Sequence, residues 1–298
     1  MAGPHTLTDL VDHLDASPSP FHAVRSARRR LDVAGFDGVS DAGAWDGVPA
    51  RGYIARDGAL IAWVLPAVDR PDAPFRLVGA HTDSPGLRIK PNPDSGTVGW
   101  RQLGVEVYGG VLLNSWLDRD LGIAGRVVDG DGSSQLVDVR RPVARVPQLA
   151  IHLDRGVNDG LKLDPQQHVH PVWGTGTSTP GAFAEWLADT AGIEPPAWWE
   201  LCLYDIQGAA VLGGDVSLLA SGRLDNQVSC WAATVSLAAA DPAADVAMIV
   251  LTDHEAVGSA STTGASGPLL EHVLERLVIA RGGTRDDLLR ALGASTCV

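Results

Sequence analysis

The chain has 298 residues, 45% hydrophobic and 20% charged, with a formal net charge of −13. That composition suits one large globular domain or two smaller ones, and the acidity argues against nucleic acid as a partner. No run approaches the roughly 20 apolar residues that span a bilayer, which argues against a membrane partner too. In chain order, Thr8 to Leu14 carries Leu7, Leu10, Val11 and Leu14 at helical spacing, and Ser17-Pro18-Ser19-Pro20 breaks it. Phe21 to Ala34 reads as a second amphipathic helix, with a solvated basic face at Arg25, Arg28, Arg29 and Arg30. Tyr53–Arg56 and Leu60–Val64 read as a β-hairpin turning through Asp57-Gly58. Phe75 to Ala80 is a short buried strand ending at His81.

From about Pro91 the texture changes. Short β-rich runs (Val105–Tyr108, Gly125–Val128, Leu136–Val139) alternate with Gly, Asp and Pro turns, and helical patterning nearly disappears. This predicts an inserted β-rich domain over 91–199, flanked by the proline-containing stretches Pro91–Gly96 and Glu194–Trp199. Residues 1–90 and 200–298 would then form a single α/β domain. From Glu200 the α/β pattern returns: a strand at Leu201–Ile206, a small-residue helix at Val228–Ala239, and a strand at Val246–Leu251. Amphipathic helices follow at Gly267–Ala280 and Thr284–Leu292. The apolar end, Ala294 to Val298, looks like the start of a strand without a closing polar segment, which is the pattern expected of a truncated domain. The first fifteen residues lack an apolar core segment and do not read as a secretion signal. Three widely spaced cysteines, Cys202, Cys230 and Cys297, are too few for a disulfide framework. They are expected as buried free thiols in a reducing cytoplasm.

Two segments carry candidate chemistry. Val246–Leu251 is apolar throughout, as a strand buried on both faces should be, and runs into Thr252-Asp253-His254-Glu255. Acidic residues at the carboxyl end of such a strand lie where open α/β sheets place their sites. The strand ending at His81 is followed by Asp83, and a metal-ligating imidazole is commonly oriented by a carboxylate on its other nitrogen. A satisfied His-Thr-Asp turn is the competing reading. His152 reads from the residues alone as a buried strand histidine. His168-Val169-His170 could present two imidazoles on one strand face, or be surface histidines of a proline-rich loop. Asp118, Arg119 and Asp120 are expected to form a structural ion network, and the Trp198-Trp199 pair to serve packing or a subunit interface.

The stretch His81-Thr82-Asp83-Ser84-Pro85-Gly86-Leu87-Arg88-Ile89-Lys90-Pro91 resembles a motif of the M18 aminopeptidases, also called aspartyl aminopeptidases. So do Asp15–Val24, Trp116–Leu121 with Ala124–Val127, Pro147–Leu153, Ser221–Asn226 and Asp253–Ser259, colinear over nearly the whole chain. The resemblance implies a mixed-sheet α/β/α metallopeptidase domain interrupted by an inserted β-rich dimerisation domain. It implies a zinc aminopeptidase with two ions per site, cobalt or manganese being possible replacements. Peptides would be the substrates, with acidic first residues preferred in some members, and Lys90 or Arg223 could supply a basic pocket. A homo-oligomer would form through the inserted domain. Residue by residue, His81 matches a zinc ligand, Asp225 the carboxylate bridging two ions, and Glu255 the general base, with Asp83 beside them. His152 matches a histidine that in the family is read either as a substrate-stabilising group or as a metal ligand. There is no Gly-x-Ser-x-Gly elbow of the kind that would mark a serine hydrolase.

The resemblance breaks at one telling position. Where the family motif has a second glutamate that binds zinc, this chain has Ala256. A methyl group cannot hold a metal, and the family's later Asp and His ligands fall in a segment that this sequence does not include. Two expectations follow: a metalloaminopeptidase with a weakened metal site, or a non-catalytic homologue that keeps the fold and acts as a subunit or scaffold.

Overall fold

A computed structural model describes residues 4–68 and 70–298. Its elements are α1 (Pro4–Ala16), α2 (Pro20–Val33), β1 (Asp37–Gly38), β2 (Arg51–Arg56), β3 (Ala59–Val64), β4 (Phe75–His81), β5 (Gly86–Thr97), β6 (Trp100–Tyr108), β7 (Leu121–Val128), β8 (Ser134–Ala144) and β9 (Val172–Thr175). They continue with α3 (Ala182–Ala191), β10 (Trp198–Asp205), β11 (Ala210–Leu212), β12 (Leu218–Ala220), α4 (Leu224–Ala238), β13 (Val246–Thr252), α5 (Leu269–Ala280), α6 (Arg285–Gly293) and β14 (Thr296–Cys297). Two compact units result. One comprises the chain up to Ser84 together with Arg223–Val298, and the other is the intervening Pro85–Gly222.

The first unit is built on a mixed sheet of order β1-β2-β3-β13-β4-β14. β13 lies parallel to β4 and antiparallel to β3. Period-two alternation splits its side chains between two cores. Val246, Met248 and Val250 pack with Val273, Leu277 and Val278 of α5 and Leu288 of α6. Ile249 and Leu251 pack on the other face with Val24 and Leu31 of α2 and Ala233 and Leu237 of α4. Helices therefore cover both faces of the sheet, which is why the β13 segment reads as uninterrupted apolar sequence. β4 differs from the expected fully buried strand: Arg76 and Val78 are exposed. Two helix starts carry side-chain caps. Ser19 caps α2 by accepting from the His22 N–H, and Thr284 and Asp287 form a capping box on α6. The strand anticipated at the apolar end is β14, which adds parallel to β4.

The second unit holds a sheet of order β8-β7-β10-β5-β6-β9, a separate β11-β12 hairpin and α3. Its core gathers Leu87, Leu103, Ile123, Val127, Leu201 and Leu203. Four sequence expectations change here. The proline-containing Pro91–Gly96 stretch does not flank this sheet but forms the bulged middle of β5, whose register shifts between Ile89 and Asp94; prolines are tolerated where a ladder bond is missing. The Leu201–Ile206 run belongs to β10, which pairs with β7 and β5 of this sheet and not with the α/β sheet. An apolar run fixes strand character but not the partner. Helix α3 was not anticipated, although Phe183, Trp186 and Leu187 have helical spacing and Phe183 and Leu187 are fully buried. Among the cysteines, all free, only Cys230 is buried; Cys202 is half-buried and Cys297 exposed on the edge strand. Gly125 is required where β7 crosses β10: its φ is +152°, and a Cβ there would lie 2.0 Å from the Glu200 carbonyl oxygen.

His13, on the buried side of α1, is 6% exposed. Burial, reinforced by the charge of Arg30, pushes its imidazole down to about 4 from 6.5, against opposing contributions from Gln227 and Asp9. The unfolded chain therefore takes up this proton first as pH falls, so the protein loses stability from about pH 6.5 down to about 4. Urea denaturation should show a loss of about 2 kcal/mol between pH 7 and pH 5 from this group. His13→Gln should remove that part of the slope, and an unchanged slope would mean that His13 is not buried as a neutral imidazole.

Candidate active site

β4 and β13 run parallel with Thr252 opposite His81, so their carboxyl ends deliver two polar segments side by side. Asp83 joins them. Its fully buried carboxylate accepts the Glu255 N–H (3.1 Å) on one oxygen and the Ala256 N–H (3.0 Å) on the other. The Thr82 N–H donates to the Thr252 carbonyl (2.8 Å), and its hydroxyl donates to the Gly58 carbonyl (2.6 Å) in the β2–β3 turn. Gly58 has no room for a side chain: a Cβ would stand 2.1 Å from Oδ2 of buried Asp253.

The start of α4 grips the same segment. The His81 N–H donates to Asn226 Oδ1 (3.4 Å), Gln227 Nε2 to the Thr82 carbonyl (2.7 Å), and the Ser84 hydroxyl to the Asp225 carbonyl (3.1 Å). The Cys230 thiol donates to the His81 carbonyl (3.1 Å); burial pushes it up to about 12, so it stays protonated. The Asp225–Asn226 peptide is cis. Both site carboxylates follow a residue in the left-handed region, Arg223 (φ +58°) two positions before Asp225 and His254 (φ +65°) immediately before Glu255. His254 is held there by its N–H to Asp253 Oδ1 (2.8 Å) and by Nδ1 against the Ser261 hydroxyl (2.8 Å).

His81 occupies the centre. Its Nδ1 lies 3.0 Å from the Asp83 carbonyl oxygen and 3.4 Å from Asp83 Oδ1. A proton on Nδ1 leaves Nε2 facing Asp225 Oδ1 at 3.1 Å and Glu255 Oε2 at 3.8 Å. The Asp83 side chain above all, aided by its carbonyl and by the Glu255 charge, raises the His81 pKa over the opposing effect of burial. His81, Asp83, Asp225 and Glu255 are thus brought together in the first unit. Thr82 and Asn226 fell inside quoted motifs and Gly58 in the hairpin turn, but none of them, nor Gln227, was given a role at the site from sequence; the polar Asp-Asn-Gln run at a helix start was the visible signal.

His152 belongs to the second unit, where it is exposed in a turn and not a buried strand histidine. The run 147–153 has no ladder partner to cover it. His168 and His170 do not share a strand face either. Each is bonded locally, His168 Nδ1 accepting the Asp164 N–H (2.9 Å) and His170 Nε2 meeting the Gln166 carbonyl (2.6 Å). Arg119 pairs with Asp205 (3.1 Å) and Arg145 with Asp120, the ion network the sequence suggested. Trp199 packs edge-on to Phe183 at 5.5 Å, while Trp198 is exposed. Lys90 is paired with Glu106 at 3.0 Å.

Residues 13–298 match the family of aminopeptidase I zinc metalloproteases, M18. The chain belongs to this family. It is 51% identical over 298 residues to the probable M18 family aminopeptidase 2 of Streptomyces avermitilis, covering 97% of this chain and 69% of that protein. It is 45% identical over 303 residues to the counterpart in Mycobacterium leprae, covering 99% and 71%. Among solved structures it is similar to Ape4 in its complex with Nbr1 (TM-score 0.90, 28% identity, 97% of this chain and 62% of that one). It is also similar to mApe1 of Chaetomium thermophilum (TM-score 0.87, 27% identity, 98% and 73%). The chain therefore spans less than two thirds of the Ape4 chain and about seven-tenths of the curated M18 relatives. No helix among the described residues is long and apolar enough to cross a membrane.

The family is defined by zinc, so the donors matter. Among the described residues no group of three or more His, Cys, Asp and Glu side chains is arranged to hold a metal ion. His81 Nε2 and Asp225 Oδ1 face one another, and Ala256 contributes only its N–H. An imidazole nitrogen and a carboxylate oxygen are both ligand types that zinc takes.

Asp83→Ala would leave the Glu255 and Ala256 N–H groups without their acceptor and His81 without its carboxylate. A loss of about 3 kcal/mol in urea denaturation is expected. An unchanged midpoint would mean that the two strand ends are held by other contacts.

Proposed function

We propose that the chain is a metal-dependent aminopeptidase of M18 type, removing the first residue of peptides. The observation that carries this reading is the convergence of His81, Asp225 and Glu255 at the carboxyl ends of β4 and β13 and the start of α4. Glu255 is the general base. Its carboxylate is more than half exposed, so water can reach it, and its backbone is pinned by Asp83. It takes a proton from the attacking water, whose oxygen adds to the scissile carbonyl carbon. It returns that proton to the amine that leaves as the C–N bond breaks. Asp83 orients His81. His81 and Asp225 are the donors this chain offers to zinc, or to cobalt or manganese, which accept the same ligand types. His152 is assigned to substrate stabilisation or to the metal, and its exposure leaves it free for either role. A preference for acidic first residues would need a cation near Asp225; Arg223 is closest in sequence, and its Nε donates to the Ser17 carbonyl (3.2 Å).

A homo-oligomer assembled through the second unit and a cytoplasmic location complete the reading. The first is supported by likeness to the Saccharomyces mApe1 dodecamer (TM-score 0.78, 26% identity), the second by three free cysteines.

Ala256 favours a second reading, a non-catalytic subunit. The test is metal content by plasma mass spectrometry together with hydrolysis of aminoacyl p-nitroanilides. The parent chain is expected to carry less than one zinc, and Ala256→Glu to carry more and to hydrolyse faster. Glu255→Gln should abolish hydrolysis with zinc unchanged. Hydrolysis that survives Glu255→Gln would overturn the assigned base. Absence of hydrolysis in both the parent and Ala256→Glu would leave the subunit reading standing.

A further inference from the structure

On the first unit a cavity of about 250 Å³ opens between the 41–45 loop, the end of β2 and the first turns of α5. Its floor is apolar: Val273 and Leu269, both buried, with the indole of Trp45 as a side wall. The wall is built deliberately. Arg276 donates to the Asp41 and Gly43 carbonyls and lies 4.3 Å over the Trp45 ring, so its guanidinium is spent on holding the loop against α5. Trp45 is fixed in turn by its Nε1–H to the Ser40 carbonyl (2.9 Å) and by Trp63 at 5.7 Å.

The rim holds charges of both signs that are only loosely engaged. Arg56 and Asp41 approach to 3.5 Å with both side chains more than a third exposed, and Glu275 reaches Arg285 at 3.9 Å. Exposed ion pairs of this kind are weak and easily exchanged for others. The volume lies below the range of drug-sized ligand pockets, so the cavity suits one small molecule and not a peptide. A cation, a carboxylate pair and an apolar floor within one such cavity are complementary to a zwitterion with a hydrophobic tail.

We propose that this cavity binds a free α-amino acid with an apolar side chain. The ligand carboxylate is received by Arg56, whose planar guanidinium can bind it bidentately. Its ammonium lies against Asp41 and Glu275, and its side chain rests on Val273, Leu269 and Trp45. His272, an exposed residue, completes the lining. The ligand class follows from the cavity and does not rest on the proposed hydrolysis.

The test is titration of the full chain with L-leucine, followed by ligand-observed NMR, with leucinamide and N-acetyl-leucine as probes lacking one charge each. Saturable leucine binding is expected, about tenfold weaker for either probe and for Arg56→Gln. His272→Trp, which puts a larger side chain at an exposed lining position, should weaken it similarly, while His81→Ala should leave it unchanged. No saturable binding, or binding indifferent to both Arg56→Gln and His272→Trp, overturns the proposal. Binding lost in His81→Ala but kept in Arg56→Gln overturns it too, since leucine would then occupy the proposed catalytic centre. None of these outcomes bears on Glu255, so this proposal and the catalytic one fail separately.

Discussion

One buried carboxylate ties the two parallel strand ends of the first unit together. Asp83 leaves β4, is excluded from water, and spends both oxygens on the N–H groups of Glu255 and Ala256 after β13. A buried carboxylate is tolerated only when its lone pairs are used, and an unpaired buried N–H is costly as well, so the two segments satisfy each other. The position of the Glu255 side chain and the orientation of His81 both derive from this junction. The α4 start adds a second clamp through Asn226, Gln227 and Cys230, which fixes where Asp225 stands relative to His81.

The same junction clarifies what Ala256 retains. Its N–H still donates to Asp83, so the loop keeps its path although the position has no side-chain donor. Strand register and the carboxylate–amide junction hold the loop through backbone groups, whichever side chain stands at position 256.

Packing sets the rest. β13 is covered by α5 and α6 on one face and by α2 and α4 on the other, so the site sits at the end of a strand that cannot shift without disturbing two cores. Gly58 lets the β2–β3 turn close against Asp253, and the Thr82 hydroxyl then reaches the Gly58 carbonyl. The second unit is organised differently. Its core lies on one sheet with α3, where Phe183 meets Trp173, Trp186 and Trp199 at 5.5 to 6.0 Å. Aromatic rings at these distances and angles pack efficiently where few helices are available.

The sequence alone determined the elements whose periodicity is unambiguous: α1, α2, the β2–β3 hairpin, β13, α5 and α6. It also marked His81, Asp83, Asp225 and Glu255, because motif order survives in the linear chain. What it could not determine was pairing. The β10 run looked like a return to the α/β sheet, and the prolines of β5 looked like the flank of the inserted domain. Hydrophobic pattern reports which faces are buried, not against which partner, and a bulge hides prolines inside a strand. The burial of His152 was misread for the same reason, since an apolar stretch in a turn has no ladder to cover it. Only the tertiary structure showed that Gln227 and Gly58 hold the site and that Arg276 walls a cavity, because these contacts join residues as many as 235 positions apart.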